Sequence, residues 1–142
     1  MILEDQALLF SLLHDGTIED ITTIKNGVRF SVDIKYLAEK INPMFNHIVI
    51  QLIYLEDFYF KASDSNVITY DYQKHNSLNL EILKTDACGD RIKVFCSANQ
   101  GNTLGFLNIK VKQIELYDSE GIRIELSKLE SLCKEYWDDL GL

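Results

Sequence analysis

Between Val28 and Tyr36 apolar and polar residues alternate without a miss: Val28, Phe30, Val32, Ile34 and Tyr36 against Arg29, Ser31, Asp33 and Lys35. A period of two places one face on a core and the other in water. Just upstream, Asn26-Gly27 predicts a hairpin, with both residues at positive φ in a type I′ turn. Ile18, Ile21 and Ile24 recur every third residue, which a regular strand does not accommodate, so this segment is expected to be a bulged strand. Before it, Ala7 to Leu13 reads as a short apolar helix with Glu4 and Asp5 at its N-terminal end, and Gly16 as its left-handed stop.

Downstream, Tyr36 to Asn42 can form one or two helical turns, ended by Pro43. His47 to Lys61 is apolar on both faces as far as Leu55, which predicts a central strand covered on each side. Val67–Tyr72, Leu78–Leu83, Arg91–Ala98, Thr103–Tyr117 and Gly121–Leu126 read as further strands. Turns are expected at Gln73–Ser77, Asp86–Asp90, Asn99–Asn102 and Asp118–Gly121. The last element is helical, with Leu126, Leu129, Leu132, Cys133, Tyr136, Trp137 and Leu140 on one stripe and Ser127/Glu130 as a capping box. The sum is an α+β fold: an antiparallel sheet or sandwich of about eight strands, a short N-terminal helix and an amphipathic C-terminal helix. A single domain over residues 1–142 is expected, since no Pro/Gly/Ser-rich stretch or repeat divides the chain.

Composition narrows the function classes. The chain carries 22 Asp/Glu against 14 Lys/Arg, a net charge of −8. An acidic balance argues against a nucleic-acid partner, because phosphate affinity comes from Lys and Arg. Residues 1–73 hold 11 acids against 5 bases, a net of −6, which can steer a basic protein partner or simply confer solubility. No apolar run is long enough to span a membrane and the N-terminus lacks a basic n-region, so a cytoplasmic protein is expected. Cys88, Cys96 and Cys133 form no C-x-x-C pair, and the latter two stand at apolar positions, as buried reduced thiols would.

Motifs for chemistry are scarce. His14-Asp15 matches the doublet of metal-dependent phosphohydrolases, but a two-metal centre needs further His and Asp ligands, and His47 and His75 are the only other histidines. Asp15 is expected to cap local amides instead, with His14 bridging the helix end to the sheet. No catalytic residue, metal ligand or cofactor is assigned. Glu56 and Asp57 are adjacent strand residues that should face opposite ways, at an exposed bulge or edge. The cluster Glu56, Asp57, Tyr59, Asp64, Tyr70, Asp71 and Tyr72 mixes tyrosines with carboxylates, as the rim and anchors of a protein-binding surface do. The alternative is that every second aromatic is core and the acids are solvated.

Leu13-His14-Asp15-Gly16, Ile18 and Ile21, the Asn-Gly hairpin, the two-sided strands and Tyr136-Trp137 on the last helix resemble the small bacterial immunity proteins found beside polymorphic toxins. That resemblance implies a non-enzymatic protein that occludes one cognate toxin, a basic toxin domain being the implied partner, and it transfers no binding residue. A structural or ligand-binding β-domain of a larger assembly is the alternative.

Overall fold

The two longest strands form the spine. The computed structural model describes residues 1–141; Leu142, the end of the expected domain, lies outside the described residues. Its elements run α1 (Leu3–Leu12), β1 (Thr17–Ile24), β2 (Gly27–Asp33), α2 (Lys35–Ala38), β3 (His47–Ala62), β4 (Ile68–Thr69), α3 (Tyr72–Leu78), β5 (Glu81–Cys88), β6 (Arg91–Ala98), β7 (Thr103–Tyr117), β8 (Arg123–Ile124) and α4 (Leu126–Asp139). The α+β class, the antiparallel sheet of eight strands and the flanking terminal helices are as the pattern predicts.

Strands β3 and β7 pair from Val49↔Tyr117 to Ala62↔Gly105. On the other side of β3, β2 takes the first half and β4 the last residues. On the other side of β7, β6 takes the first half and β8 the end. The ring β1-β2-β3-β7-β6-β5 then closes at a single register pair, Thr17↔Glu81. Backbone bonds of 2.7–2.8 Å from Asp15 to Ile82, from Ile82 to Gly16 and from Ile18 to Leu80 strengthen that seam. The sheet is a barrel with one weak join.

Helix α3 fills the gap beside that join. The Asn76 amide accepts from the Ile21 N–H at 2.8 Å and donates to the Ile21 carbonyl at 3.2 Å, replacing the strand that β1 lacks there. This is the β1 bulge expected from the three-residue spacing, with Asp20 at φ 56°. Asp71 caps α3 by accepting from the Gln73 N–H, and Asn79 ends it in the left-handed region. The pattern missed this helix, expecting a strand to Tyr72 and a turn over Gln73–Ser77.

Inside the barrel, Phe10, Phe30 and Phe58 touch in sequence, at 6.4 and 6.2 Å between centroids. Leu9, Phe10 and Leu13 of α1 and the chain after it are fully buried, and Gln6 pins α1 to β7 by donating to the Val111 carbonyl at 3.0 Å.

Several local expectations are corrected. The hairpin loop is Lys25–Asn26, since Ile24 pairs with Gly27. Asn26 takes φ 62° and Gly27 stays in the ordinary region, so the turn is not type I′. Gly27 is required for space: a Cβ there would strike the Leu52 carbonyl. Gly16 repeats the pattern, for Asp15 carries the positive φ of 71° and a Cβ on Gly16 would meet Val32 Cγ1 at 2.5 Å. Strand β5 starts at Glu81 and runs to Cys88, so the turn shrinks to Gly89–Asp90, and β8 shrinks to Arg123–Ile124. Beyond Leu52, β3 is one-sided, with Tyr54 exposed and Ile53 and Leu55 only half-buried. Ser127 and Glu130 form no capping box: the helix begins two residues early, Glu125 is its N-cap, and that cap makes no side-chain bond among the described residues.

Candidate functional site

The outer face of β3, β7 and β6 gathers most of the expected site residues, and a bulge explains how. The β3–β7 register slips between Leu55 and Asp57. This is the exposed bulge expected at Glu56-Asp57, but its extra residue brings both acids into one ion-pair network, contrary to the expectation that they face opposite ways. Asp57 pairs with Arg91 at 3.0 Å, Arg91 with Asp90 at 3.2 Å, Asp90 with Lys110 at 3.0 Å, and Lys110 with Glu56 at 3.0 Å. Hydrogen bonds from Lys110 and then Arg91 hold the Asp90 carboxyl below its ordinary range. The network sits in solvent, so its worth is orientation rather than stability.

One pleat further along the same face lies an aromatic pair. Tyr59 on β3 and Tyr70 just after β4 have ring centroids 5.3 Å apart, and Tyr70 is 61% exposed. Tyr59 stands opposite Asn108, which in turn stands opposite Lys93; Lys61 and Phe95 both flank Phe106. Tyr59, Lys61, Ala62, Ser63, Lys93, Phe106 and Asn108 line a groove of about 390 Å³ with no carboxylate in its wall. Lys61 and Lys93 make no ion pair among the described residues. The buried Asn108 amide forms part of this lining and donates to the Phe106 carbonyl at 3.3 Å.

The seven expected residues therefore divide. Tyr59 and Tyr70 form the surface pair, and Glu56 and Asp57 form the adjoining network. Asp64 is exposed in the turn after β3. Asp71 and Tyr72 serve the fold: Asp71 caps α3, and Tyr72 packs edge-on against Phe58 at 5.6 Å. Lys61, Lys93, Phe95 and Phe106 were missed, although the alternation Leu104, Phe106, Asn108, Lys110 along β7 marks an outward row.

Candidate chemistry elsewhere is thin. His14 donates from Nδ1 to the Ser11 carbonyl (2.9 Å) and stacks on Trp137, so it links α1 to α4 rather than to the sheet. Asp15 reaches the sheet through its backbone N–H. His75 is fully buried, with Nε2 2.6 Å from the Thr69 carbonyl. Cys96 and Cys133 are buried free thiols, and burial pushes Cys96 up to about 12, which suppresses thiolate reactivity. No group of three His, Cys, Asp or Glu stands at metal-binding distance among the described residues. No helix among them is long and apolar enough to cross a membrane.

Comparison with protein-family models, with curated proteins and with solved structures returned no match.

Proposed function

We propose that this chain is a non-enzymatic protein-binding module whose contact face is the outer surface of β3, β7 and β6. The observation that carries this reading is the Tyr59–Tyr70 pair, which keeps two amphipathic rings at the surface beside a groove walled by Phe106. Tyrosines of this kind supply contact area at low entropic cost and are enriched among binding anchors. The resemblance to immunity proteins gives the setting: the module covers a cognate toxin and excludes its substrate. In that setting the net charge of −8 steers a basic toxin domain from a distance, while the aromatics hold it on contact. Glu56 and Asp57 contribute less to that field than their sequence suggests, because Lys110 and Arg91 neutralise them.

The test is co-expression with the product of the adjacent gene, followed by co-purification. Tyr59→Ala/Tyr70→Ala should lose the partner while its melting temperature stays close to the parent's. Equal recovery by the double variant would remove this face as the interface. A ligand-binding β-domain is the second reading, supported by a groove volume within the small-molecule range. It expects a small ligand, and no protein, to raise the melting temperature.

A further inference from the structure

The barrel's weak join leaves one strand edge open. Strand β5 meets β1 only at Glu81, and among the described residues no strand lies on the outer side of Leu83–Cys88. Leu83, Lys84, Asp86, Ala87 and Cys88 are all exposed. An open edge presents unpaired N–H and C=O groups that template pairing with another chain.

The hairpin geometry says which groups these are. Gly89, first of the two loop residues, takes φ 65° as a type II′ turn requires, and the loop closes on the pair Cys88↔Arg91. The closing pair of such a turn is hydrogen-bonded, and bonding alternates from there. Cys88, Asp86 and Lys84 therefore bond to β6, while Thr85 and Ala87 aim their backbone groups at the open side.

The sequence of this edge is complementary to itself. If two copies pair antiparallel about a two-fold axis through Thr85, Lys84 of each copy stands opposite Asp86 of the other, giving two identical ion pairs on one face. On the opposite face the two Thr85 side chains meet. The Thr85 hydroxyl is covered by its own chain and has no hydrogen-bond partner there among the described residues; rotation about χ1 turns it toward the opposed threonine, and directly opposed threonines can hydrogen-bond to one another. Sliding the axis to Asp86 would instead set like charges against each other, so the charges select the Thr85 register.

We infer that the free β5 edge pairs with the β5 edge of a second copy of this chain, in a two-fold dimer centred on Thr85. An isologous contact of this kind closes on itself and consumes the edge. The charge of −8 on each copy opposes association, so the Lys84–Asp86 pairs fix register while the backbone ladder holds the strands. The dimer does not rest on the partner-binding reading above.

The experiment is sedimentation of the full chain over a concentration series, with circular dichroism confirming that each variant is folded. The parent should reach a monomer–dimer equilibrium. Lys84→Asp and Asp86→Lys should each raise the dissociation constant by about tenfold or more, since each creates two like-charge oppositions. The double variant Lys84→Asp/Asp86→Lys should restore dimerisation. In a Cys88→Ser background, Thr85→Cys should form a covalent dimer under mild oxidation, because directly opposed strand residues stand at disulfide distance, and Lys84→Cys should not. A parent that sediments as a monomer at every concentration, single charge reversals without effect, or equal cross-linking at positions 84 and 85 overturns the dimer. So does an edge that stays monomeric yet takes up an extended segment of another protein.

Discussion

The His14 imidazole lies flat against the Trp137 indole, with ring centroids 5.7 Å apart and planes 12° from parallel. This stack ties the end of α1 to the last turn of α4. Tyr36 meets the same indole edge-on at 6.2 Å, and its hydroxyl donates to the His14 carbonyl at 2.9 Å. Three sequence-distant segments thus converge on one aromatic cluster at the barrel's end.

Trp137 is half-buried, and Leu140 beyond it is 52% exposed, so the helical stripe fades toward the C-terminus. Trp137→Ala should therefore cost about 2 kcal/mol, less than a fully buried tryptophan, from lost contact area and stacking. Thermal unfolding measures it. An unchanged melting temperature would mean that α4 is held by Leu129, Leu132 and Cys133 alone.

Gly27 gives a sharper test of local geometry. Because its Cβ would strike the Leu52 carbonyl on β3, Gly27→Ala should destabilise by about 3 kcal/mol or more, through strand separation. Asn26→Gly, at the residue that truly takes positive φ, should change stability by less than about 1 kcal/mol. Denaturant midpoints of the two variants decide the matter. A type I′ turn on Asn26-Gly27 would make both positions depend on conformation, with no steric penalty confined to Gly27.

The two glycines show where sequence reading succeeds and where it stops. Asn-Gly and Asp-Gly pairs announced turns at the right places, but a pattern does not reveal whether a glycine is there for φ or for room. Strands β6 and β7 appear with the expected bounds, and β3 within one residue, because turn residues bound each of them on both sides. Helix α3 was hidden, since seven residues carry only Tyr72, His75 and Leu78 toward the core, too few for a helical period to show. The site was half legible: tyrosines and acids cluster near β4 in the sequence itself, but the lysines and phenylalanines of β6 and β7 join them only through cross-strand register. The charge balance of that face is hidden for the same reason, because Arg91 and Lys110 are distant in sequence from Glu56 and Asp57.

His75 predicts an acid limb in the stability profile. Desolvation by burial holds its pKa below the ordinary 6.5, outweighing the backbone bond to Thr69 and the nearby Asp71 charge that favour the protonated form. The folded state therefore binds fewer protons than the unfolded chain once pH falls below about 6.5. Stability should be flat above that point and decline as pH drops toward the lowered folded value. Urea midpoints from pH 7.5 downward should show the decline, and His75→Gln should remove this part of it. A parent and variant with the same pH dependence would show that His75 does not titrate in this window.

The binding face carries the last prediction. Tyr70 is exposed and touches Tyr59, so Tyr70→Ala should leave folding nearly unchanged yet speed partner dissociation, with a loss of about 2 kcal/mol if the pair anchors the interface. Asp64→Lys, at an exposed position outside every ion pair among the described residues, should act on association alone and reduce its salt dependence, as long-range steering does. Glu56→Lys should slow association at least as much, because it changes the charge by the same amount and also releases Lys110 and Lys112 from their shared partner. Surface-based kinetics against the co-purified partner separate the two rates. If Tyr70→Ala changes neither rate and Asp64→Lys leaves the salt dependence intact, the partner binds elsewhere on the barrel.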